Sequence, residues 1–379
     1  MLHRLVLLGA GGDLAGRFLL PALATLHAEG RLPATFRVVG ADIQDWDDEA
    51  FRAHVQERLE HHALNAPIIS RGAILGSLRY ERVDVADPEA VARAVALAGD
   101  EPVAAYLALP QRSFAPAVRA LTAAGLPSGS RIAVEKPFAE DLHSAIELNA
   151  LLADATDHAF RVDHVLAMPR SKDVVELDAE GAEEVEILWE ETLALEGRAG
   201  FYDQAGALRD VLQNHMLQLL ALVVSPGDRA AALRATRAPD PLCSRRARYT
   251  GYAEEEGVDP ARGTETFAEL LLEVDLPRWR GTRFRLRAGK ALAQGYKGVV
   301  VHRRDGGEER VEVDRLGEGE PPAYASVLGE VLGGHNALSV HADEAEEAWR
   351  IVTPVLEAWA EDRVPLEEYA TGSAGPDRL

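Results

Sequence analysis

Residues 201–220, which read FYDQAGALRDVLQNHMLQLL, place a histidine in an apolar helical pattern. At about 3.6 residues per turn, His215 falls on the stripe formed by the leucines of this segment. A lone imidazole on such a stripe is more often a satisfied core group than a base for proton transfer. Asp210 and Asn214 lie four residues apart on an adjoining face, and convergent polar groups of this kind are typical of the wall of a site.

Lysine is rare in this chain, with 4 lysines against 36 arginines. A lysine that remains therefore marks a position where the compact ammonium group is needed and a guanidinium cannot replace it. Chance persistence is the alternative, and we favour it for Lys172. The four lysines are Lys136, Lys172, Lys290 and Lys297.

Composition limits the class of protein. A chain of 379 residues with 47% hydrophobic residues predicts two globular domains. The net charge of −22 argues against nucleic acid and anionic membranes as partners, so an anionic substrate must be attracted by local positive groups. The single cysteine, Cys243, cannot form an internal disulfide, and no stretch has the apolar length of a membrane span. We therefore expect a cytoplasmic protein.

The chain begins with a pattern of strand, glycine turn and helix. LHRLVLLGAGGDLAGRFLLPAL has a strand that is apolar enough to be buried on both faces, followed by Gly9, Gly11 and Gly12. Such glycines let the backbone approach a pyrophosphate, and the following helix offers its N-terminus to that anion. The spacing departs from G-x-G-x-x-G, so an ordinary strand-to-helix turn is the alternative.

The second strand, FRVVGAD, ends in Asp42, where a carboxylate can accept hydrogen bonds from an adenosine ribose and repel a 2′-phosphate. A helix N-cap is the alternative role for this residue. The strands SLRYERVDV, VAAYLALP and RIAVEKPF then alternate with helical patterns. Such alternation predicts a Rossmann-like, doubly wound parallel sheet, and we expect this dinucleotide-binding domain to span 1–162.

The second half of the chain has a different pattern. Strand candidates with alternating apolar residues, such as TETFAELLLEV and KGVVVHRR, surround the His215 helix, and ADEAEEAWRIVTPVLEAWAED is helical. This predicts an α+β catalytic domain over 163–379 with a mainly antiparallel sheet. We expect the terminal TGSAGPDRL to be loose.

An ordered series of motifs carries a family resemblance. GAGGDLAGRFLLPAL, YLALPQRSFAPAVRAL, VEKPFAEDLHSAIELN, RVDH, GALRDVLQNH, FRLRAGKAL and YATGSAGPD resemble, in this order, segments of the glucose-6-phosphate dehydrogenase family. RVDH together with RDVLQNH is the most specific part, whereas EKP also occurs in other sugar dehydrogenases. The resemblance covers nearly the whole chain.

The resemblance implies oxidation of an aldose at C1 to a δ-lactone, with hydride transfer to NAD(P)+. His215 matches the general base, Asp163 the carboxylate that orients it, and Lys136 a lysine near the reacting oxygen and the cofactor. No metal is implied. The residues that match substrate-binding positions are His164, Glu191, Asp210 and Lys290.

The same resemblance assigns the cofactor site. The family's NADP-using members carry arginine after strand two in G-x-A-R, whereas this chain has Asp42 and then Ile43. We therefore predict that NAD+ is favoured. The residues that match cofactor-binding positions are Gly9, Gly11, Gly12, Asp13, Leu14, Asp42, Pro110 and Lys136.

The phosphate clamp departs from the family pattern. The family reads D-H-Y-L-G-K, but here Val165 and Met168 replace the tyrosine and the lysine. Gly16 and Phe18 also stand where the family usually has basic residues. Because a phosphate monoester needs several donors, we predict that recognition of the 6-phosphate is weakened or replaced. The sequence leaves open whether Arg17, Arg170 or Lys172 compensates.

The chain is also shorter than the family pattern. After KGVVVHRR it continues only through DGGEERVEVDRLGEGEPPAY before the ADEAEEAWR helix. The missing stretch contributes to the sheet that family members use for dimer contact, so we expect a smaller sheet and a homo-oligomer, if one forms, with an altered interface.

The leading hypothesis is an NAD(P)-dependent sugar dehydrogenase that acts on glucose 6-phosphate or a related aldose. The resemblance associates it with glucose metabolism and the pentose phosphate pathway. An NAD-dependent dehydrogenase of an unphosphorylated or differently substituted aldose is one alternative. A non-catalytic nucleotide- or sugar-binding paralogue is the alternative from another class.

Overall fold

The chain folds into two compact units, and each contains a seven-stranded sheet. The first unit is Met1–Ala167 together with 320–341. The second is Met168–Gly317 together with Ala342–Leu379. The structure is a computed structural model, and it describes residues 1–179, 181–195, 197, 199–317 and 320–379.

This division differs from the expected domains 1–162 and 163–379. The strand Ser339–Val340 pairs antiparallel with Ala159–Val162 and so extends the first sheet. The helix Ala323–Gly333 buries its apolar side chains in the core of the first unit. A late segment therefore returns to the first unit because it completes that unit's sheet and core.

The first sheet is the predicted Rossmann-like one. Numbered along the chain, its strands are β1 (Arg4–Leu8), β2 (Arg37–Asp42), β3 (Leu78–Arg82), β4 (Ala104–Leu107), β5 (Arg131–Glu135), β6 (Ala159–Val162) and β13 (Ser339–Val340). Their order in the sheet is β13-β6-β5-β4-β1-β2-β3, and every pair is parallel except β13 with β6. The central strands are buried on both faces, which explains their continuous apolar sequence.

Helices connect these parallel strands, as the alternating pattern predicts. A π-helical segment, Ala15–Leu19, follows the glycine turn and leads directly into the first α-helix. The α-helices of this unit are α1 (Leu20–Ala28), α2 (Asp48–His62), α3 (Ile68–Ser77), α4 (Pro88–Ala98), α5 (Phe114–Ala124), α6 (Leu142–Ala155) and α11 (Ala323–Gly333).

The second sheet is mainly antiparallel, as predicted. Its strands are β7 (Ala182–Glu190), β8 (Ser244–Tyr249), β9 (Phe267–Leu272), β10 (Arg283–Gly289), β11 (Tyr296–Arg303), β12 (Glu308–Glu312) and β14 (Leu366–Tyr369). Their order in the sheet is β12-β11-β7-β10-β9-β8-β14. The pairs β7 with β10 and β8 with β14 are parallel, and the other described pairs are antiparallel.

The π-helical segment Leu208–Met216 continues into an α-helix and forms the interior helix of the second unit. Every residue from Val211 to Val224 is buried, so the stripe that carries His215 faces the core as predicted, and the other faces of the helix are buried as well. The second sheet and the long C-terminal helix both pack against this segment, so it has no exposed face. The α-helices of this unit are α7 (Ser171–Val174), α8 (Ala199–Tyr202), α9 (Leu217–Val224), α10 (Arg229–Ala235) and α12 (Ala342–Ala360).

The apolar helices raise the question of a membrane span. Among the described residues, no single helix is both long and apolar enough to cross a membrane. Leu208–Val224 and Arg229–Ala235 meet that test only when they are taken together, and they are bent by 100°.

The terminal segment, expected to be loose, is held against the second sheet. Arg287 donates hydrogen bonds to the carbonyl oxygens of Ala374 and Pro376. Arg378 forms an ion pair with Glu186 at 2.8 Å. Buried arginine and glutamate side chains of the sheet need polar partners, and the backbone of this segment supplies some of them.

A buried arginine organises the charges on that face of the sheet. The Arg285 guanidinium lies 2.7 Å from a carboxylate oxygen of Glu184 and 3.7 Å from one of Glu186. It also forms a close ion pair with Glu269, and all four side chains are at most 10% exposed. Several carboxylates thus share one buried cation, so its removal leaves uncompensated negative charge.

We expect Arg285→Met to lower the free energy of unfolding by about 3–5 kcal/mol, because it leaves several buried carboxylates without their cation. Arg283→Met is the matched control: Arg283 lies on the same strand and also pairs with Glu184, but its side chain is 59% exposed. The control should cost less than about 1 kcal/mol. Urea unfolding of both variants measures the difference, and equal losses would contradict the prediction.

Candidate active site

The glycine turn after β1 leaves room for a ligand close to the backbone. Gly9 has φ of +85°, and a Cβ atom there would clash with the carbonyl oxygen of Ala108. The amide of Gly11 donates to a carboxylate oxygen of Asp42 at 2.8 Å, and a Cβ atom on Gly11 would lie 3.1 Å from the Trp46 ring. The glycines of this turn place no side chains at their positions, and a helical segment follows the turn. This arrangement fits the pyrophosphate of a dinucleotide.

Asp42 ends β2 and braces this turn. Its second carboxylate oxygen accepts from the amide of Ile43 at 2.7 Å. The N-cap role considered for it is wrong, because Asp47 caps α2 by accepting from Glu49 and Ala50. Asp42 therefore stands at the carboxyl end of its strand with a carboxylate fixed by backbone donors.

The other predicted cofactor residues lie around the same edge of the sheet. The Asp13 carboxylate is exposed and forms an ion pair with Arg17 at 3.0 Å. Leu14 immediately precedes the π-helical segment, and Gly12 accepts from the amide of Gly16 within the turn. Pro110 is exposed and follows β4, which is the neighbour of β1 in the sheet.

Lys136 and Asp163 follow two adjacent parallel strands, β5 and β6. The amide of Lys136 donates to the carbonyl oxygen of Val162 at 3.2 Å. The Asp163 carboxylate is buried and accepts from the amide of Val165 at 3.1 Å. His164 stacks on Tyr324 of α11, with ring centroids 5.6 Å apart. Parallel pairing thus brings the lysine and the aspartate predicted from the motifs to one edge.

A buried carboxyl group, which the sequence analysis missed, lies beside them. Glu135 ends β5, and the Tyr106 hydroxyl donates to its carboxylate at 2.5 Å. Burial raises the pKa of Glu135 to about 7, and the charge of Asp163 adds to the rise. Hydrogen bonds from Tyr106 and Tyr324 and the charge of Lys136 oppose it. The sequence offered one signal for Glu135, because this residue immediately precedes Lys136 in the VEKPF motif.

In the second unit, two predicted substrate residues meet because β7 and β10 are parallel. Glu191 follows β7 and Lys290 follows β10, and the two side chains form a close ion pair. Lys297 from β11 lies 3.1 Å from the second oxygen of Glu191. Burial alone would raise the pKa of Glu191, but the two lysines lower it overall. Glu191 is therefore held as a carboxylate.

His215 is 3% exposed and lies in the interior helix of the second unit. Its ring stacks on Trp189 of β7, with centroids 5.0 Å apart and planes at 28°. Its backbone amide donates to the side chain of Asn214 at 2.8 Å. The Lys297 ammonium lies 5.3 Å from the centroid of the Trp189 ring. The tryptophan, which the sequence analysis missed, fixes the plane of the imidazole.

The start of the interior helix is held by a second buried carboxyl group. Glu265 accepts from the amide of Leu208 at 2.9 Å, and burial raises the pKa of Glu265 to about 6. Asp210 lies in the first turn of this segment. Burial and the charges of Asp210, Glu265 and Glu191 raise the pKa of the Tyr202 phenol, and the Lys290 ammonium lies 5.8 Å from the centroid of its ring. The three predicted substrate residues of this unit thus all interact with one tyrosine that was not predicted.

Comparison with known proteins agrees with the motifs. The family model described as "Glucose-6-phosphate dehydrogenase, NAD binding domain" matches residues 6–175. The model described as "Glucose-6-phosphate dehydrogenase, C-terminal domain" matches residues 177–237, 241–313 and 308–379. The chain belongs to the glucose-6-phosphate dehydrogenase family.

Individual family members resemble the chain over almost its whole length. Glucose-6-phosphate 1-dehydrogenase of Treponema pallidum (strain Nichols) is 30% identical over 475 aligned positions, which cover 99% of this chain and 92% of the relative. The crystal structure of the Mycobacterium avium enzyme is 30% identical with a TM-score of 0.86, and covers 99% of this chain and 96% of that one. A glucose-6-phosphate dehydrogenase in complex with its substrate glucose 6-phosphate is 25% identical, with the same TM-score and coverage.

The alignments also bear on the length of the chain. The alignment with the Treponema pallidum relative runs over 475 positions, whereas this chain has 379 residues. The relative therefore carries segments that this member of the family lacks.

The buried Glu135 predicts a pH dependence of stability. Its pKa is raised in the folded protein, so its contribution to stability is complete below the ordinary value of 4.5 and is lost as the pH rises through about 7. We expect Glu135→Gln, which cannot ionise, to remove up to ~3 kcal/mol of the fall in unfolding free energy between these limits.

Chemical unfolding of the wild type and the variant across this pH range measures the effect. Glu101→Gln in the same unit is the control, because this exposed glutamate pairs only with Arg4 among the described residues. Parallel pH profiles for the wild type and Glu135→Gln would contradict the prediction.

Proposed function

We propose that the chain is a glucose-6-phosphate 1-dehydrogenase, which oxidises C1 of glucose 6-phosphate to the δ-lactone and reduces NAD(P)+. Membership of the family over nearly the whole chain supports the activity. The observation that carries the proposal is the placement of His215, a buried imidazole with a fixed ring plane on an interior helix. Such a group is suited to accept a hydroxyl proton.

In this proposal, His215 removes the proton of the C1 hydroxyl while a hydride leaves C1. A bound nicotinamide dinucleotide supplies the hydride acceptor. Asp163 stabilises the imidazolium that forms, as a carboxylate does behind a general base. Lys136, whose backbone is tied to β6, donates a hydrogen bond to the reacting oxygen. The C1 carbon loses its hydrogen as hydride, the oxygen loses its proton to His215, and a carbonyl group remains.

Glu191, Asp210 and Lys290 bind the hydroxyl groups of the sugar. The ion pairs of Glu191 with Lys290 and Lys297 support this role, since they keep a carboxylate and two ammonium groups oriented before the substrate arrives. Carboxylates and ammonium groups are complementary to sugar hydroxyls, which both donate and accept.

A second candidate substrate is an unphosphorylated or differently substituted aldose. The position of the clamp tyrosine holds Val165, which is fully buried, and Phe18 packs on Tyr324 with centroids 5.4 Å apart. Arg17 pairs with Asp13, and Arg170 pairs with Asp173 at 2.8 Å, so each guanidinium group has a carboxylate partner. Without the tyrosine and the lysine of the family's clamp, His164 offers a phosphate fewer donors than the family pattern does.

NAD+ is the proposed preferred cofactor. The Asp42 carboxylate is fixed at the end of β2 and would repel a 2′-phosphate, and Ile43 is exposed where NADP-using relatives carry arginine. We also propose a cytoplasmic location, supported by the single, exposed cysteine. A homo-oligomer, if one forms, would use an altered interface because the chain is short.

Reduction of nicotinamide by glucose 6-phosphate tests the proposed activity. We expect His215→Asn to lower kcat by about 10²–10⁴-fold, because general-base catalysis contributes that much. His302→Asn is the control, since His302 pairs with Glu186 on β7 and has no proposed role. If the wild type reduces neither NAD+ nor NADP+ with any aldose, the non-catalytic binding protein becomes the better interpretation.

The ratio of kcat/KM for glucose 6-phosphate to kcat/KM for glucose tests whether recognition of the 6-phosphate is weakened. We expect Val165→Tyr combined with Met168→Lys to raise this ratio by about 10²- to 10⁴-fold, because the two substitutions add two donors and hydrogen bonds to charged groups contribute about 1.5–3 kcal/mol each. Activity on glucose is the control for the overpacking that a tyrosine at the fully buried Val165 causes. A strong preference of the wild type for the phosphorylated sugar, unchanged by the substitutions, would refute weakened recognition.

Cofactor preference depends on two neighbouring residues. We expect Asp42→Ala with Ile43→Arg to reverse the preference, since it removes a repulsive carboxylate and adds a phosphate donor. Equilibrium titration of NAD+ and NADP+ against wild type and variant measures the change, and Asp45→Ala is a control on the same loop. Tighter binding of NADP+ than NAD+ by the wild type would show that the prediction is wrong.

A further inference from the structure

We propose that Tyr202 is a specificity-determining residue that donates a hydrogen bond from its phenol to a hydroxyl group of the sugar. This inference deepens the proposed function and rests on it. None of the sequence motifs assigned a role to this tyrosine.

The hydroxyl of Tyr202 is buried and has no hydrogen-bond partner among the described residues. The whole residue is 6% exposed, so its hydroxyl has lost bulk water without a replacement within the described chain. An unsatisfied buried polar group costs about 1–3 kcal/mol, and native structures keep few of them. This hydroxyl is therefore a candidate donor to a partner that is not part of the chain.

The neighbours of Tyr202 are the residues proposed to bind the sugar. The Lys290 ammonium lies 5.8 Å from the ring centroid, and the charges of Asp210, Glu265 and Glu191 act on the phenol. Tyr202 thus lies within the cluster of charged groups at the carboxyl ends of β7 and β10 and the start of the interior helix. Burial and these carboxylates raise its pKa well above the usual value, so the phenol keeps its proton and remains a donor.

The same surroundings indicate the chemistry of the missing partner. The charges of Asp210, Glu265 and Glu191 act on the phenol, and Glu191 is paired with Lys290 and Lys297. These carboxylates and ammonium groups leave no excess of positive charge that would attract a phosphate dianion, whereas a neutral sugar hydroxyl needs none. A sugar hydroxyl can accept from the phenol and donate to a neighbouring carboxylate at the same time. The ligand of this position is therefore a hydroxyl of the aldose ring and not its phosphate.

Comparison with nearby tyrosines separates this role from packing. Tyr202, Tyr249, Tyr252 and Tyr369 belong to one apolar cluster. The hydroxyl of Tyr252 donates to Asp203 at 2.9 Å, that of Tyr369 donates to the carbonyl oxygen of Lys290 at 2.7 Å, and that of Tyr249 bonds Glu255. Only the Tyr202 hydroxyl, among these four described tyrosines, lacks a bond within the chain.

Tyr202→Phe tests the inference, because it removes one oxygen atom and keeps the ring. We expect the KM for the sugar to rise roughly tenfold with little change in kcat, as for the loss of one hydrogen bond. The melting temperature should stay the same or rise, since the variant no longer buries an unsatisfied hydroxyl.

Steady-state kinetics with glucose 6-phosphate and its 2-, 3- and 4-deoxy analogues identifies the contact. The wild type should discriminate against the analogue that lacks the contacted hydroxyl, and Tyr202→Phe should treat that analogue and the parent sugar alike. Tyr252→Phe is the matched control: it loses a bond to Asp203, so it should lower the melting temperature and leave the discrimination unchanged.

Two results would overturn the inference. If Tyr202→Phe keeps the full wild-type discrimination against every deoxy analogue, the hydroxyl serves only a buried water molecule. The same conclusion follows if its KM equals that of the wild type. A wild type that reduces no nicotinamide with any of these sugars refutes the proposed function itself, which is a different outcome from an active enzyme that is indifferent to Tyr202.

Discussion

Parallel pairing of neighbouring strands is the constraint on which the candidate site residues of each unit depend. Parallel strands end at a common edge, so residues that follow them are brought together whatever their separation in sequence. In the first unit this places Lys136 beside Asp163, after β5 and β6. In the second unit it places Glu191 beside Lys290, after β7 and β10, although the rest of that sheet is mainly antiparallel. In both units the candidate site residues follow directly after the last hydrogen-bonded residues of their strands.

Burial of charge is the second theme. Glu135 and Glu265 are both buried, and each accepts a hydrogen bond from a neighbouring group while burial raises its pKa. Glu191 is half-buried, and two lysines outweigh the effect of burial on its pKa and hold it ionised. Carboxyl groups of the same type thus differ in pKa because their partners differ: Glu135 and Glu265 have uncharged donors, whereas Glu191 has two ammonium groups.

Local patterns predicted much of the fold. The parallel strands were identifiable because strands buried on both faces need continuous apolar sequence, and the glycine turn because only glycine tolerates the conformation of Gly9. His215 lies on a buried stripe, as the periodicity predicts, but the helix is buried on its other faces too, so burial alone does not distinguish this residue. Its role as a base stays a prediction that rests on the order of the motifs.

Contacts between distant parts of the chain could not be predicted from local patterns. Tyr324 meets His164 across the long insertion of the second unit, and Glu265 reaches Leu208 from a loop far along the chain. Tyr202 gave no signal, since a tyrosine in an apolar segment is ordinary until the structure shows its hydroxyl without a partner. Such features depend on which side chains converge, and one sequence does not encode that convergence in any short pattern.

The late return of the chain to the first unit has a consequence for biosynthesis. The ribosome completes β6 at Val162, but its partner Ser339–Val340 and the helix Ala323–Gly333 emerge only after the second unit's β7 to β12 have been made. Until then, the edge of β6 and the core surface that this helix covers stay open. The nucleotide-binding unit therefore cannot complete its sheet and core as an N-terminal intermediate, and the edge of β6 stays unpaired while nearly half of the chain is translated.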